Sequence, residues 1–228
     1  MSFRSYVING ISLGSVYAII ALGYTMFYGI SKMLKFAQGD IIMVGGFTVF
    51  TIVSTAGGSP VVGVLASIVV CTVLGVTIEK VAYRPLRGAS PLAVLIAAIG
   101  VSYLLQNVAL LIFGANTVSF PNKITLPALS LAGGSLVISS VTIVTIVACV
   151  VIMIALLLFI NRTKAGQAML AVSEDKGAAQ LMGINVDGTI AMTFAIGSAL
   201  AAIAGFLLFT AYPSLDPYKG TMPGIKAF

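Results

Sequence analysis

Five long stretches of this chain carry no charged side chain: Ser5–Ser31, Ile41–Ile78, Gly88–Asn122, Ile124–Asn161 and Gly188–Leu215. Crossing the hydrocarbon of a bilayer takes about 20 apolar residues in a helix, which spans roughly 30 Å. No other property limits the fold as strongly. Only 8% of the 228 residues are charged and 59% are hydrophobic. Soluble domains carry about 25% charged residues, so a chain this apolar cannot cover its own surface in water. The bilayer is its solvent.

Two of the runs must be divided. Thr55-Ala56-Gly57-Gly58-Ser59-Pro60 is a turn signal inside the second. The fourth opens on a loop with Pro127, Gly133, Gly134 and Ser135. The division predicts six helices: Tyr6–Tyr28, Ala37–Ser54, Pro60–Ile78, Pro91–Phe113, Leu136–Ile160 and Thr189–Phe209. The second is short, so the reading sets Asp40 at or below the membrane interface and leaves no charge in the middle of a helix. Backbone groups in lipid must bond within their own segment, and the alternating pattern of a membrane barrel is absent. The expected fold is an all-α, polytopic transmembrane bundle, residues 1–228 forming one transmembrane domain.

Orientation follows from Lys and Arg. The first, third and fifth connections hold Lys32, Lys35, Lys80, Arg84, Arg87, Arg162, Lys164 and Lys176; the opposite side holds Arg4, Lys123 and Lys219. Eight against three places the odd connections in the cytoplasm and the N-terminus outside. The net charge of +6 is scattered between apolar runs, which fits this rule and not a nucleic-acid-binding face. The first apolar run is too long for a signal peptide. The final stretch, Lys219–Phe228, reads as a loop leading into further helices, so a C-terminal truncation is expected.

Cys71 and Cys149 lie in apolar runs and read as small buried hydrophobes. With no His in the chain, zinc or haem ligation and the common catalytic triads have no basis. No phosphate-binding Gly-x-x-x-x-Gly-Lys-[Ser/Thr] segment occurs, so the chain does not hydrolyse ATP itself. An enzyme is not expected, nor a cofactor.

The most informative polar segment is the fifth connection, residues 162–188. It is rich in helix formers, with Ser173, Glu174 and Asp175 placed to cap a second short helix and Gly183 placed to end it. Ala178, Ala179, Leu181, Met182 and Ile184 have no core of their own to enter. They read as a docking face for a protein partner; the alternative is an amphipathic helix resting on the bilayer, for which Glu174, Asp175 and Asp187 are too acidic.

Near the N-terminus, Phe36-Ala37-Gln38-Gly39-Asp40 is the best candidate for a substrate path. A charge and a Gly at the start of a short helix point to a broken or re-entrant segment whose free N–H groups would receive a carboxylate, with Asp40 answering an ammonium. The alternative is an ordinary cytoplasmic turn in which Asp40 is an acid at a helix start. Gln106 and Asn107, near Ser102, are adjacent amides within the fourth helix, which either line a polar path or bond neighbouring helices. Glu79–Arg87 reads as an interfacial anchor. Gly10 with Gly14, and Gly45, Gly46, Gly75, Gly100, Gly197, Ala201 and Gly205, are suited to close helix packing.

Several segments together resemble LivH-type branched-chain amino acid permeases of ABC importers. They are Asn9 through Ile30, Lys35-Phe36-Ala37-Gln38-Gly39-Asp40, Glu79-Lys80-Val81-Ala82-Tyr83-Arg84-Pro85-Leu86-Arg87, Leu181-Met182-Gly183-Ile184-Asn185 and the closing Pro217 through Phe228. The likeness covers essentially the whole chain. Ala178-Ala179-x-x-x-Gly183 is similar to the Glu-Ala-Ala-x-x-x-Gly loop that such permeases insert into their ATPase, although Gly177 stands where that pattern has Glu. The resemblance implies ATPase coupling through Glu174, Asp175, Lys176, Ala178, Ala179, Gly183 and Ile184. It implies as partners a second permease subunit, two cytoplasmic ABC ATPases and a periplasmic substrate-binding protein. It implies a place in the bacterial inner membrane. Related permeases for urea and short amides share much of the pattern. An ion-coupled secondary transporter and a purely structural membrane subunit are the other readings.

Overall fold

The computed structural model describes residues 3–31, 37–55, 57–120, 129–131, 136–138 and 140–227. They form helices α1 (Phe3–Ser31), α2 (Gln38–Ser54), α3 (Pro60–Ile78), α4 (Pro91–Phe113), α5 (Ser140–Arg162), α6 (Lys164–Glu174), α7 (Lys176–Leu181), α8 (Val186–Ala211) and α9 (Thr221–Ala227). A π-helical turn, Glu79–Tyr83, and a 3-10 turn, Arg84–Leu86, continue α3. Among the described residues five helices are long and apolar enough to cross a membrane, and α2, with 17 residues, is a shorter apolar one. The protein is a polytopic helical bundle.

Helix starts follow local chemistry. Ser59 and Ser90 each accept a hydrogen bond from the third residue beyond them, and Pro60 and Pro91 follow at the first helical position, where a missing N–H is harmless. Asn185 caps α8 by accepting from the Gly188 N–H at 3.0 Å. That cap starts α8 three residues before the expected Thr189 and puts Asp187 in its first turn, where the helix dipole favours an acid.

One expected boundary is corrected. The fifth span does not begin at Leu136. Leu136–Ile138 is a short strand, β3, paired antiparallel with β2 (Leu129–Leu131), and the helix starts at Ser140. Apolarity alone does not separate a strand from a helix over three residues, and the Gly133-Gly134 pair is a hairpin signal as much as a loop signal. A second pair joins β1 (Val118–Ser119), which follows α4, to β4 (Ser214–Leu215), which follows α8.

α8 is the central helix, packed against α1, α2 and α3. Backbones approach closely where glycine permits. A Cβ on Gly45 would stand 3.1 Å from the Ala202 Cα, one on Gly205 would meet the Ile42 carbonyl, and one on Gly75 would collide with Ser198. Gly10, Gly14 and Gly100 differ from expectation: nothing among the described residues lies within 4 Å of where their Cβ would be. Their faces are open in this chain. Aromatic rings fill the wider gaps, with Phe27 edge-on to Phe194 at 4.7 Å and Phe47 stacked on Phe113 at 4.2 Å. α4 and α5 stand at the periphery and turn large apolar side chains outward, among them Leu92, Leu104, Leu111 and Leu157.

Candidate functional site

Asp40 is 1% exposed. Its carboxylate accepts hydrogen bonds from the Ser102 hydroxyl and from Gln106 Nε2, the latter at 2.9 Å. The same Gln106 nitrogen lies 3.1 Å from Thr221 Oγ1 and 3.3 Å from Ser102 Oγ. Burying a carboxylate is costly unless donors replace water, and here two residues of α4 supply them. Because Asp40 lies in the first turn of α2, the positive end of that helix also stabilises its charge.

The depth of this cluster departs from the sequence expectation. Ser102 and Gln106 lie in the interior of α4, and the neighbouring Gln38 donates its amide at 3.0 Å to the Gly197 carbonyl, near the middle of α8. The first turn of α2 is therefore level with the middle of two spanning helices, not at or below the interface. The expectation that no charge stands at mid-helix depth is corrected in the same way. Charge-free runs locate spanning helices, but they assume that each span starts at the membrane surface. α2 does not.

A second helix start meets it there. Gly39 and Gly220 are in backbone contact, so that a Cβ on either would overlap the other's carbonyl, and a Cβ on Gly224 would lie 3.0 Å from the Gly39 Cα. α9 thus abuts the start of α2, and Thr221 joins the cluster. Nothing in the sequence singled out Thr221 or Gly220; the signal that existed was the Gly-rich Lys219–Gly224 stretch. α2 begins with no side-chain cap. Gln38 is fully buried, and its Oε1 has no hydrogen-bond partner among the described residues.

The structure therefore brings Gln38, Gly39, Asp40 and Gln106 together. Asn107 is placed elsewhere: it is exposed, and its amide bonds the Tyr103 carbonyl of its own helix at 2.8 Å. A one-residue step along a helix turns a side chain by about 100°, and on α4 that step carries Asn107 from the buried side to the exposed one. Phe36 lies outside the described residues.

The connection between α5 and α8 is a helical hairpin. Thr163 caps α6 by accepting from the Gly166 N–H at 3.0 Å. Asp175 caps α7, its Oδ1 accepting from the N–H groups of Gly177 at 2.7 Å and Ala178 at 3.1 Å. Gly183 ends α7 at φ +83°, the left-handed conformation in which glycine is strain-free. Ala179 is buried and Ile184 packs on the core, which corrects the expectation that neither had a core of its own to enter; Glu174 and Ala178 are exposed. Leu181 and Met182 are 91% and 82% exposed. Lys176 reaches back to the Ser31 carbonyl at the end of α1, at 2.9 Å. Arg84 and Arg87 both pair with Asp187. The end of α1, the α3–α4 connection and the hairpin are thus at one end of the bundle.

A family model described as "Branched-chain amino acid transport system / permease component" matches residues 6–228. The chain is 41% identical to the high-affinity branched-chain amino acid transport system permease protein LivH of Escherichia coli (strain K12), over 99% of this chain and 77% of that protein. It is 42% identical to the permease protein BraD of Pseudomonas aeruginosa, with the same coverage. It is 28% identical to a probable LivH of Methanocaldococcus jannaschii, over 88% of this chain and 64% of that protein. No solved structure matches.

Proposed function

The chain belongs to the branched-chain amino acid transport permease family, and from that premise we propose that it is a membrane-spanning subunit of an ABC importer for branched-chain or closely related small amino acids. Separate ATPase subunits drive it, a second permease subunit completes the pore, and a periplasmic binding protein delivers the substrate. It resides in the bacterial inner membrane with its N-terminus outside, and it leaves its substrate chemically unchanged.

The hairpin tip carries the reading. Leu181 and Met182 stand almost fully exposed at the end of a rigidly capped element lying between two apolar helices. Large apolar side chains held out this way bury themselves on a partner. Basic residues support the placement of that end in the cytoplasm, since Arg84, Arg87 and Lys176 gather there. The coupling set is Glu174, Asp175, Lys176, Ala178, Ala179, Gly183 and Ile184, with Leu181 and Met182 at its tip.

Mechanism follows from the packing. ATP binding moves the docked hairpin, the hairpin leads directly into α8, and α8 holds the start of α2 through Gly197 and Gln38. An importer needs two states with different contacts, and the meeting of α2 and α9 at Gly39–Gly220 is where they differ. Opening that contact exposes Gln38, Asp40 and Gln106, together with the N–H groups of α2. A carboxylate is suited to the helix start, and an ammonium to Asp40. Uptake by the reconstituted full complex, measured with leucine and competed with urea and short amides, tests the assignment. Leucine uptake indifferent to isoleucine and valine but blocked by urea would contradict it.

A further inference from the structure

The Glu79–Arg87 segment holds a charge cluster that ordinary anchoring does not explain. Glu79 sits in the π-helical turn closing α3 and is 1% exposed. Arg87 follows the 3-10 turn and directs one guanidinium nitrogen back to Glu79. Its other terminal nitrogen pairs with Asp187, in the first turn of α8. Arg84 reaches the second oxygen of Asp187 at 3.0 Å. Burying a carboxylate is costly unless it is paired or hydrogen-bonded, and the pair with Arg87 meets that need for Glu79 within one segment. The second bond leaves the element and joins α3 to α8.

We infer that Arg87 is a positioning residue of the transport cycle, tying the exit of the ATPase-docking hairpin to α3 so that α3 and α8 move as one body. The inference rests on the proposed importer reading. Asp187 is half exposed, with 52% of its side chain accessible, and an exposed ion pair adds little to stability. What the bond fixes is relative position. A guanidinium presents its two terminal nitrogens in a fixed planar fork, and Arg87 directs one to Glu79 and the other to Asp187, one acid on each element.

The elements it joins are those a moving hairpin must engage. From Met182 the chain passes through Gly183 and the Asn185 cap straight into Asp187. Displacement of the tip therefore arrives at the turn that Arg87 grips. Along the same two helices, Ser198 lies against Gly75, a second tie at greater depth. One residue before it, the Gly197 carbonyl holds Gln38. A packed path thus runs from the tip to the turn that carries Asp40.

The test uses the full complex with its ATPases and binding protein, reconstituted in liposomes, and reads leucine taken up per ATP hydrolysed. Asp187→Asn leaves the buried Glu79–Arg87 pair intact. We expect the ratio to fall at least fivefold while the ATPases co-purify in normal amounts. Arg87→Lys, which keeps the charge but loses the fixed fork and leaves Arg84 on Asp187, should fall by less; Asp187→Glu, which keeps the charge, should restore most of the ratio. An unchanged ratio in Asp187→Asn overturns the inference. So does loss of the ATPases from that variant's complex, because the residue would then serve docking. A wild-type chain that retains no ATPase at all overturns the importer reading, and the inference with it.

Discussion

Gln106 Nε2 lies 2.9 Å from Asp40 Oδ1 and bridges it to Thr221, so an amide of α4 links the first turn of α2 to the first residue of α9. Two consequences separate the charge from the donor. Asp40→Asn keeps the shape and can still accept from Ser102, but it loses the anion. Leucine uptake should drop at least tenfold with normal expression and a near-normal melting temperature. Unchanged kinetics would make Asp40 a structural group alone. Gln106→Leu leaves the buried carboxylate short of a donor, at a cost of about 1–3 kcal/mol. Its detergent melting temperature should fall on the order of 5 °C.

Glycine contacts give a stability prediction with an internal control. Gly220→Ala would drive a methyl group into the Gly39 backbone, which has no side chain to rotate aside. The strain should amount to about 1–3 kcal/mol or more, seen as a lower melting temperature and lost uptake. Gly10→Ala meets no described neighbour and should leave the melting temperature unchanged or slightly raised, since Ala favours a helix by up to about 1 kcal/mol. Equal effects of the two substitutions would contradict the close approach.

Docking is separable from folding at the hairpin tip. Leu181→Asp combined with Met182→Asp alters two side chains that bury almost nothing within the chain, so insertion and melting should stay normal. Co-purification of the ATPase subunits should be lost. Gly183→Trp places a bulky residue at φ +83° and should act in the same direction. Normal complex recovery from both variants would remove the docking role.

Sidedness is open to labelling. A cysteine at position 181 should react with a membrane-impermeant thiol reagent in inverted vesicles and stay protected in intact cells. The native Cys71 is buried and Cys149 partly so, which keeps the background low. Reaction from outside the cell would reverse the orientation and separate the hairpin from any cytoplasmic ATPase.

Much of the bundle was legible because lipid imposes simple rules. Charge-free runs located α1, α3, α4 and α8 to within a few residues, and the turn signal ending at Pro60 marked the start of α3. The hairpin was legible from helix formers, acids and a terminal Gly. The depth of Asp40 was not, since a helix that begins inside the bundle has the same sequence pattern as one that begins at its edge. Thr221 was invisible because its role depends on a contact with residues of α2 and α4, far away in the chain. The pairing of Arg87 with Asp187 depends likewise on two segments a hundred residues apart. Asn107 was drawn in by adjacency to Gln106, although helical geometry sets the two on different faces.

A buried acid at mid-bundle depth is also what an ion-coupled carrier would use, so the energy source is the decisive question. Leucine accumulation should be measured in liposomes containing the full importer complex and its binding protein, with ATP supplied on the hairpin side or with an imposed proton gradient and no ATP. The account predicts accumulation that requires ATP and is abolished by changing Leu181 and Met182 to Asp. Accumulation driven by the gradient alone, and insensitive to the hairpin, would contradict it.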